Sequence, residues 1–162
     1  MFFQAPKGGV EDFVEEDFTY AIMSEKEILD AFWKIVDSYD RIITFNGHVF
    51  DIPYVVLRSI FNGIRPSRNL LVSKYLHQQK GDISHVDLFD QFTLGGLVSR
   101  RGFSLDGLCS AFGIKSPKEE GVAGDQVGFL YNNNEYKKIA IYSGADAKAT
   151  AELYKVWQNY LG

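Results

Sequence analysis

The apolar residues Ile28, Leu29, Phe32, Ile35, Val36 and Tyr39 recur every three or four places, which puts them on one face of a helix. Ser24 precedes them with Glu27 three positions on, a capping box that satisfies free backbone N–H groups, so the pattern predicts a helix to about residue 38, packed on a sheet. The run Arg41-Ile-Ile-Thr-Phe45 is β-branched and aromatic and breaks at Asn46-Gly47, as a buried strand ending in a turn would. Asp51 then stands where a helix N-cap belongs, Pro53 in the first turn, and Asn62-Gly63 stops the helix after Phe61. Residues 70–76 read equally as strand or helix. Residues 84–88 predict a strand running into a helical segment from about Asp90, and Ser104 caps a short helix that Gly113 ends. Residues 135–161 read as mostly helical, with Ala147, Ala149, Ala151, Leu153, Val156, Trp157 and Tyr160 supplying the apolar face. Residues 18–23 supply a candidate strand, and residues 1–9 read as a flexible lead-in or loop. Alternating strands and helices predict an α/β architecture.

A chain of 162 residues, 46% hydrophobic and 15% aromatic, buries one substantial core, so a single domain is expected. The apolar runs are too short to span a bilayer, and no basic leader with a long apolar stretch follows Met1, so the reading is a cytoplasmic protein with no membrane partner. The lone Cys109 excludes an internal disulfide and a multi-cysteine zinc site, and it reads as a buried small hydrophobe. The net charge of −4 is uneven: Glu11, Asp12, Glu15, Glu16, Asp17, Glu25, Glu27 and Asp30 crowd the first 30 residues. Residues 52–81 hold no acid but carry Arg58, Arg65, Arg68, Lys74 and Lys80 among Tyr54, Phe61 and Tyr75. Such a segment either tracks a phosphate backbone or is an ordinary solvated helix and loop.

Three acids stand out by position: Asp51 after a strand and turn, Asp87 inside the apolar run His85-Val-Asp-Leu88, and Asp146 in the C-terminal helix. A charge in apolar surroundings is costly unless it is paired or binds metal. Asp51 also has a purely structural reading, as an N-cap carboxylate favoured by the helix dipole. Tyr142 and Asp146 lie four apart, so on a helix their side chains share a face, with Gly144 between them allowing close approach.

Asn46-Gly-His-Val-Phe-Asp51-Ile-Pro53 resembles the second motif of the DEDD 3′ to 5′ exonucleases, and Tyr142-Ser-Gly-Ala-Asp146 resembles the third motif of their tyrosine-bearing branch (DEDDy). The histidine-bearing branch would need histidine where Ile141 stands. The order of these motifs with Ser24 to Leu29, Leu57-Arg-Ser59, His85 to Leu88 and Ser104-Leu-Asp-Gly-Leu108 is similar to predicted exonucleases related to the proofreading domain of family-B DNA polymerases. The resemblance covers residues 18–162, with residues 1–17 a loop-like lead-in. It implies a ribonuclease H-like fold, a mixed sheet flanked by helices, and hydrolysis of a phosphodiester at the 3′ end of a nucleic acid. The cofactor it implies is a pair of Mg²⁺ or Mn²⁺ ions ~3.5–4 Å apart, which is why several carboxylates must converge. On this resemblance Asp51 and Asp146 are metal ligands, Tyr142 orients water or phosphate, and Asn46 and Phe50 lie beside the terminal nucleotide of a single strand. Asp87 is expected in a supporting or structural role.

The family opens with a strand bearing Asp-x-Glu. This sequence has no such motif: the early acids are Glu11-Asp12 and Glu15-Glu16-Asp17, and the first strands are expected to be missing from the fold. Three readings follow: a longer natural protein that is an active exonuclease, a homologue that binds nucleic acid or a protein without cutting, or a second subunit that supplies the acids. An incomplete sheet exposes unpaired backbone, so self-association into a homo-oligomer is also expected.

Overall fold

The computed structural model describes residues 3–4, 23–81, 83–99, 101–116 and 124–162. At Ser24 the side-chain oxygen accepts from the Glu27 backbone N–H, and the Glu27 carboxylate accepts from the Ser24 backbone N–H at 2.8 Å, so the reciprocal cap is present. It opens α1 (Glu25–Asp37). The face that α1 buries is Leu29, Trp33 and Val36, one helical stripe. Ile28 and Ile35, expected on that face, are 51% and 58% exposed. Trp33 decides the orientation, because its indole N–H donates to Ser59 Oγ at 2.8 Å inside the protein.

Strand β2 (Arg41–Thr44) follows, and β3 (Ser84–Asp87) pairs with it in parallel, Ile42 opposite His85 and Ile43 opposite Val86. On the other side of β2, β1 (Phe3–Gln4) pairs antiparallel, Phe3 opposite Ile43. Among the described residues the result is a mixed three-stranded sheet in the order β1-β2-β3. The outer edge of β3 is partly closed by a side chain: the Gln79 amide accepts from the His85 N–H (2.9 Å) and donates to the His85 carbonyl (2.6 Å).

Strand alternation divides the interior in two. Ile42 points with Trp33, Val36, Ile52, Leu70 and Ile83 into a layer under α1 and α2 (Asp51–Phe61). Ile43 and Val86 point the opposite way, toward α3 (Leu88–Phe92), α4 (Leu105–Ala111) and the long C-terminal helix, where Leu88, Leu108, Leu153, Tyr154 and Trp157 complete the second layer. A short α5 (Val127–Asn132) precedes α6 (Tyr136–Tyr160) and packs on it. Helices thus cover both faces of the sheet, an α/β arrangement. Among the described residues no helix is long and apolar enough to cross a membrane.

Asn62 and Gly63 end α2, with Gly63 at φ 70°, and Gly113 follows α4 at φ 69°. Helix α3 starts at Leu88, ahead of the expected Asp90, because the Asp87 carboxylate accepts from the Phe89 N–H. Residues 70–76 are irregular up to a 3₁₀ turn at Leu76–Gln78. On α6 Tyr160 is 80% exposed and Tyr154 takes the core position instead. Cys109 is fully buried, and burial, then the Asp106 and Asp146 carboxylates, push its thiol up to about 11. Of the strand expected over 18–23, residues 18–22 lie outside the described residues, and Met23 is irregular.

Candidate active site

The turn after β2 is built on Asp87. Asn46 adopts φ 62°, a left-handed conformation that asparagine tolerates. Its N–H donates to Asp87 Oδ1 at 2.7 Å, and the His48 N–H donates to Oδ2 at 2.8 Å. Asp87 is 1% exposed and pushed above the usual carboxylate range, chiefly by burial and with Asp90 adding to it, while the bonds from His48 and Asn46 pull the other way. Between them, Gly47 is buried against Thr44: a Cβ there would lie 2.4–2.8 Å from the Thr44 side chain. Gly47→Ala is therefore expected to cost about 1–3 kcal/mol through overpacking, read as a lower urea midpoint at unchanged slope. The Gly47 carbonyl then accepts from the Ile52 N–H at 2.9 Å, tying the turn to α2.

Asp51 is the first residue of α2, and the N-cap position belongs to Phe50, which makes no side-chain capping bond. The cap expected of Asp51 thus falls one residue off. Instead Asp51 lines a cavity of about 350 Å³ with Phe45 and Phe50 from its own turn, Ser104, Leu105 and Asp106 from the start of α4, and Tyr142, Ser143, Asp146 and Thr150 from α6. Phe50 is 70% exposed. Burial pushes the Asp146 carboxyl up, a hydrogen bond from Tyr142 pulls it back, and the Asp51 charge pushes it further up. Tyr142 and Asp146 therefore meet on one helix face as their spacing requires, and Asp51 lines the same cavity from the start of α2.

Four of the five residues singled out in the sequence, Phe50, Asp51, Tyr142 and Asp146, surround this cavity. Asn46 is not among its lining residues; its backbone holds the turn. Asp87 acts in structure. Sequence reasoning passed over Asp106, a third acid on the wall, although it stands in the Ser104-Leu-Asp motif. It also passed over His48 and Asp90. His48 Nδ1 lies 2.8 Å from Asp90 Oδ2 and 3.6 Å from Asp87 Oδ2, and its ring meets that of His85 at 4.0 Å between centroids. His85 Nε2 is 2.8 Å from Thr44 Oγ1.

The basic tract is partly tied into the fold. Arg58 forks onto Glu25, Arg68 pairs with Asp37 at 3.2 Å, and Lys74 donates to the Gly95 carbonyl at 2.6 Å, while Arg65 and Lys80 are exposed. Acids thus hold Arg58 and Arg68, and Arg65, Lys74 and Lys80 remain exposed to solvent.

Known proteins resemble this chain along most of its length. It is 30% identical to a DNA polymerase of Pyrococcus glycovorans over 148 residues, covering 86% of this chain and 19% of the polymerase. It is 27% identical to a DNA polymerase of Thermococcus litoralis over 156 residues, 88% of this chain and 9% of that protein. A Desulfurococcus DNA polymerase is likewise 27% identical over 155 residues, 88% of this chain and 19% of its own length. The chain thus spans about a fifth or less of these relatives. Residues 10–162 match the model of the predicted 3′-5′ exonucleases related to the exonuclease domain of PolB, and the chain belongs to that family.

Proposed function

We propose that this chain is a 3′ to 5′ exonuclease-type domain of ribonuclease H-like fold that receives the 3′ end of a single nucleic-acid strand in the cavity between α2, α4 and α6. The observation that carries the reading is the convergence of Asp51, Tyr142 and Asp146 on one cavity with the exposed Phe50 at its rim. The donors fit a hard divalent cation: Asp51 and Asp146 offer carboxylate oxygens, and Asp146 is pushed up by burial and by its neighbour's charge, a cost that a cation between them relieves. Asp51 and Asp146 would hold Mg²⁺ or Mn²⁺, which when bound stabilise charge on the attacking and leaving oxygens of a phosphodiester. Tyr142 would orient water or phosphate through its hydroxyl. Phe50 offers an aromatic face on which a terminal base stacks, with Asn46 setting the turn that presents it.

The sequence has no Asp-x-Glu pair, so these 162 residues are expected to release little or no nucleotide from 3′-ended single strands with Mg²⁺ or Mn²⁺. The same absence favours a second reading, a nucleic-acid-binding or protein-interaction domain of this fold that does not cut. Fluorescence anisotropy with a labelled single strand tests the common ground. Phe50→Ala is expected to weaken binding by roughly 1–3 kcal/mol, the range for loss of one stacked base. Unchanged affinity in that variant removes Phe50 from the site, and a wild-type chain that binds no strand removes nucleic acid as the ligand. Robust cleavage abolished by Asp146→Ala would mean that the catalytic set is already complete. Self-association belongs to the proposal too, since Phe50, Tyr54, Leu57 and Phe61 form an exposed apolar stripe along α2; a monomer in light scattering would remove it.

A further inference from the structure

We infer that His48 is a positioning residue of the cavity: its Nδ1–H, donated to Asp90, clamps the turn of residues 46–51 against α3 and so sets the aim of Phe50 and Asp51. The consequence for substrate rests on the proposed function, whereas the clamp itself does not.

Two backbone bonds to Asp87 hold the turn at Asn46 and at His48, and the next backbone tie runs from Ile52 to Gly47. Val49 and Phe50, between these ties, are exposed. The His48 side chain turns inward, opposite to its neighbours. Asp90 is 6% exposed, and a buried carboxylate needs a donor. The 2.8 Å contact between His48 Nδ1 and Asp90 Oδ2 is of hydrogen-bond length, and with Nδ1 as the donor it satisfies that carboxyl oxygen. The Asp87 oxygen at 3.6 Å is beyond hydrogen-bond reach, which leaves Asp90 as the partner. The edge-on His85 ring closes off the imidazole's other side.

His48, Asp87 and Asp90 present ligand atoms within 4.8 Å of one another, a group small enough to surround a metal ion. Against a metal stand the hydrogen-bond length of the His48–Asp90 contact and the backbone N–H already held by each Asp87 oxygen. The geometry is that of a hydrogen-bonded clamp.

Hydrogen exchange on the full chain tests it, with three substitutions. His48→Ala is expected to lower protection of the Asn46, His48 and Ile52 amides about tenfold, the worth of one charge-assisted bond, while α6 amides stay as they are. His48→Asn carries an N–H where Nδ1 sits and restores that protection; His48→Gln carries its amide at the Nε2 position and does not. In parallel, His48→Ala is expected to bind a single-stranded oligonucleotide about tenfold more weakly, and His48→Asn to stay within about twofold of the wild type. If His48→Ala unfolds the whole chain, seen as lost protection in α6, the Asn and Gln pair decides. Equal protection in the alanine variant, or rescue by Gln in place of Asn, would overturn the clamp. A wild-type chain that binds no oligonucleotide but shows the expected exchange pattern leaves the clamp standing and removes the proposed function.

Discussion

Asp87→Ala is expected to cost about 3–5 kcal/mol of folding stability, enough to leave a marginal domain largely unfolded. One buried carboxylate accepts three backbone N–H groups: Asn46 at 2.7 Å, His48 at 2.8 Å and Phe89 at 3.0 Å. Removing it strands three donors, and each costs its own desolvation. The same truncation uncouples the turn that carries Phe50 and Asp51 from the first turn of α3, so whatever fold survives should present the cavity poorly. Asp87→Asn retains one carbonyl oxygen and should cost less than the alanine change. Urea denaturation measures the difference, and an alanine variant within about 1 kcal/mol of the wild type would mean that water replaces the carboxylate.

His85 should make this protein lose stability as pH falls below 6.5, above the range in which ordinary carboxylates titrate. Burial, and then the charge of His48, push the His85 imidazole down to about 3 from 6.5, with the Leu70 backbone acting the other way. Below pH 6.5 the unfolded chain binds a proton that the folded chain refuses, so the stability that neutral His85 provides is complete above 6.5 and is lost as pH falls toward 3. The loss from this one group is about 2 kcal/mol at pH 5 and about 4 kcal/mol at pH 3. Glu25 is held down at about 2 by its hydrogen bonds from Arg58 and Asn62, so its contribution fades only below about 4.5. Asp87 and Asp146, both pushed up, act oppositely: the folded chain keeps protons there that the unfolded chain gives up, so each costs stability as pH rises through its folded value. The difference between wild type and His85→Gln, followed by urea midpoints from pH 7 to 5, isolates the histidine. Parallel curves would mean that His85 titrates normally.

What could be read from the sequence was local. The Ser24 box, the Asn62-Gly63 stop and the approach of Tyr142 to Asp146 each depend on residues within one or two helical turns, and each is found in the fold. Asp87 announced itself as a charge inside an apolar run. The buried face of α1 keeps Leu29 and Val36 as expected but turns Ile28 and Ile35 outward, because Ser59, 26 residues away, selects Trp33. The basic tract was ambiguous because the acids that pair with Arg58 and Arg68, Glu25 and Asp37, lie 33 and 31 residues away. His48 and Asp90 are 42 apart and meet only once β2 and β3 are aligned. Helix α5, six residues long, is too short to show a period, and Asp106 looked like an ordinary acid in the first turn of a capped helix.

The two interior layers carry one tryptophan each, Trp33 beneath α1 and α2 and Trp157 against α3, α4 and α6, and the chain has no others. The sheet between them is therefore an optical partition as well as a mechanical one. Trp33 emits from a site hydrogen-bonded to Ser59, and Trp157 lies stacked on Tyr154 with centroids 5.4 Å apart. Single-tryptophan versions of the protein, each with the other indole replaced by phenylalanine, turn every denaturation curve into a report from one face. Superimposed curves from the two would identify the sheet and both helical layers as one cooperative unit, and separated curves would show which face lets go first.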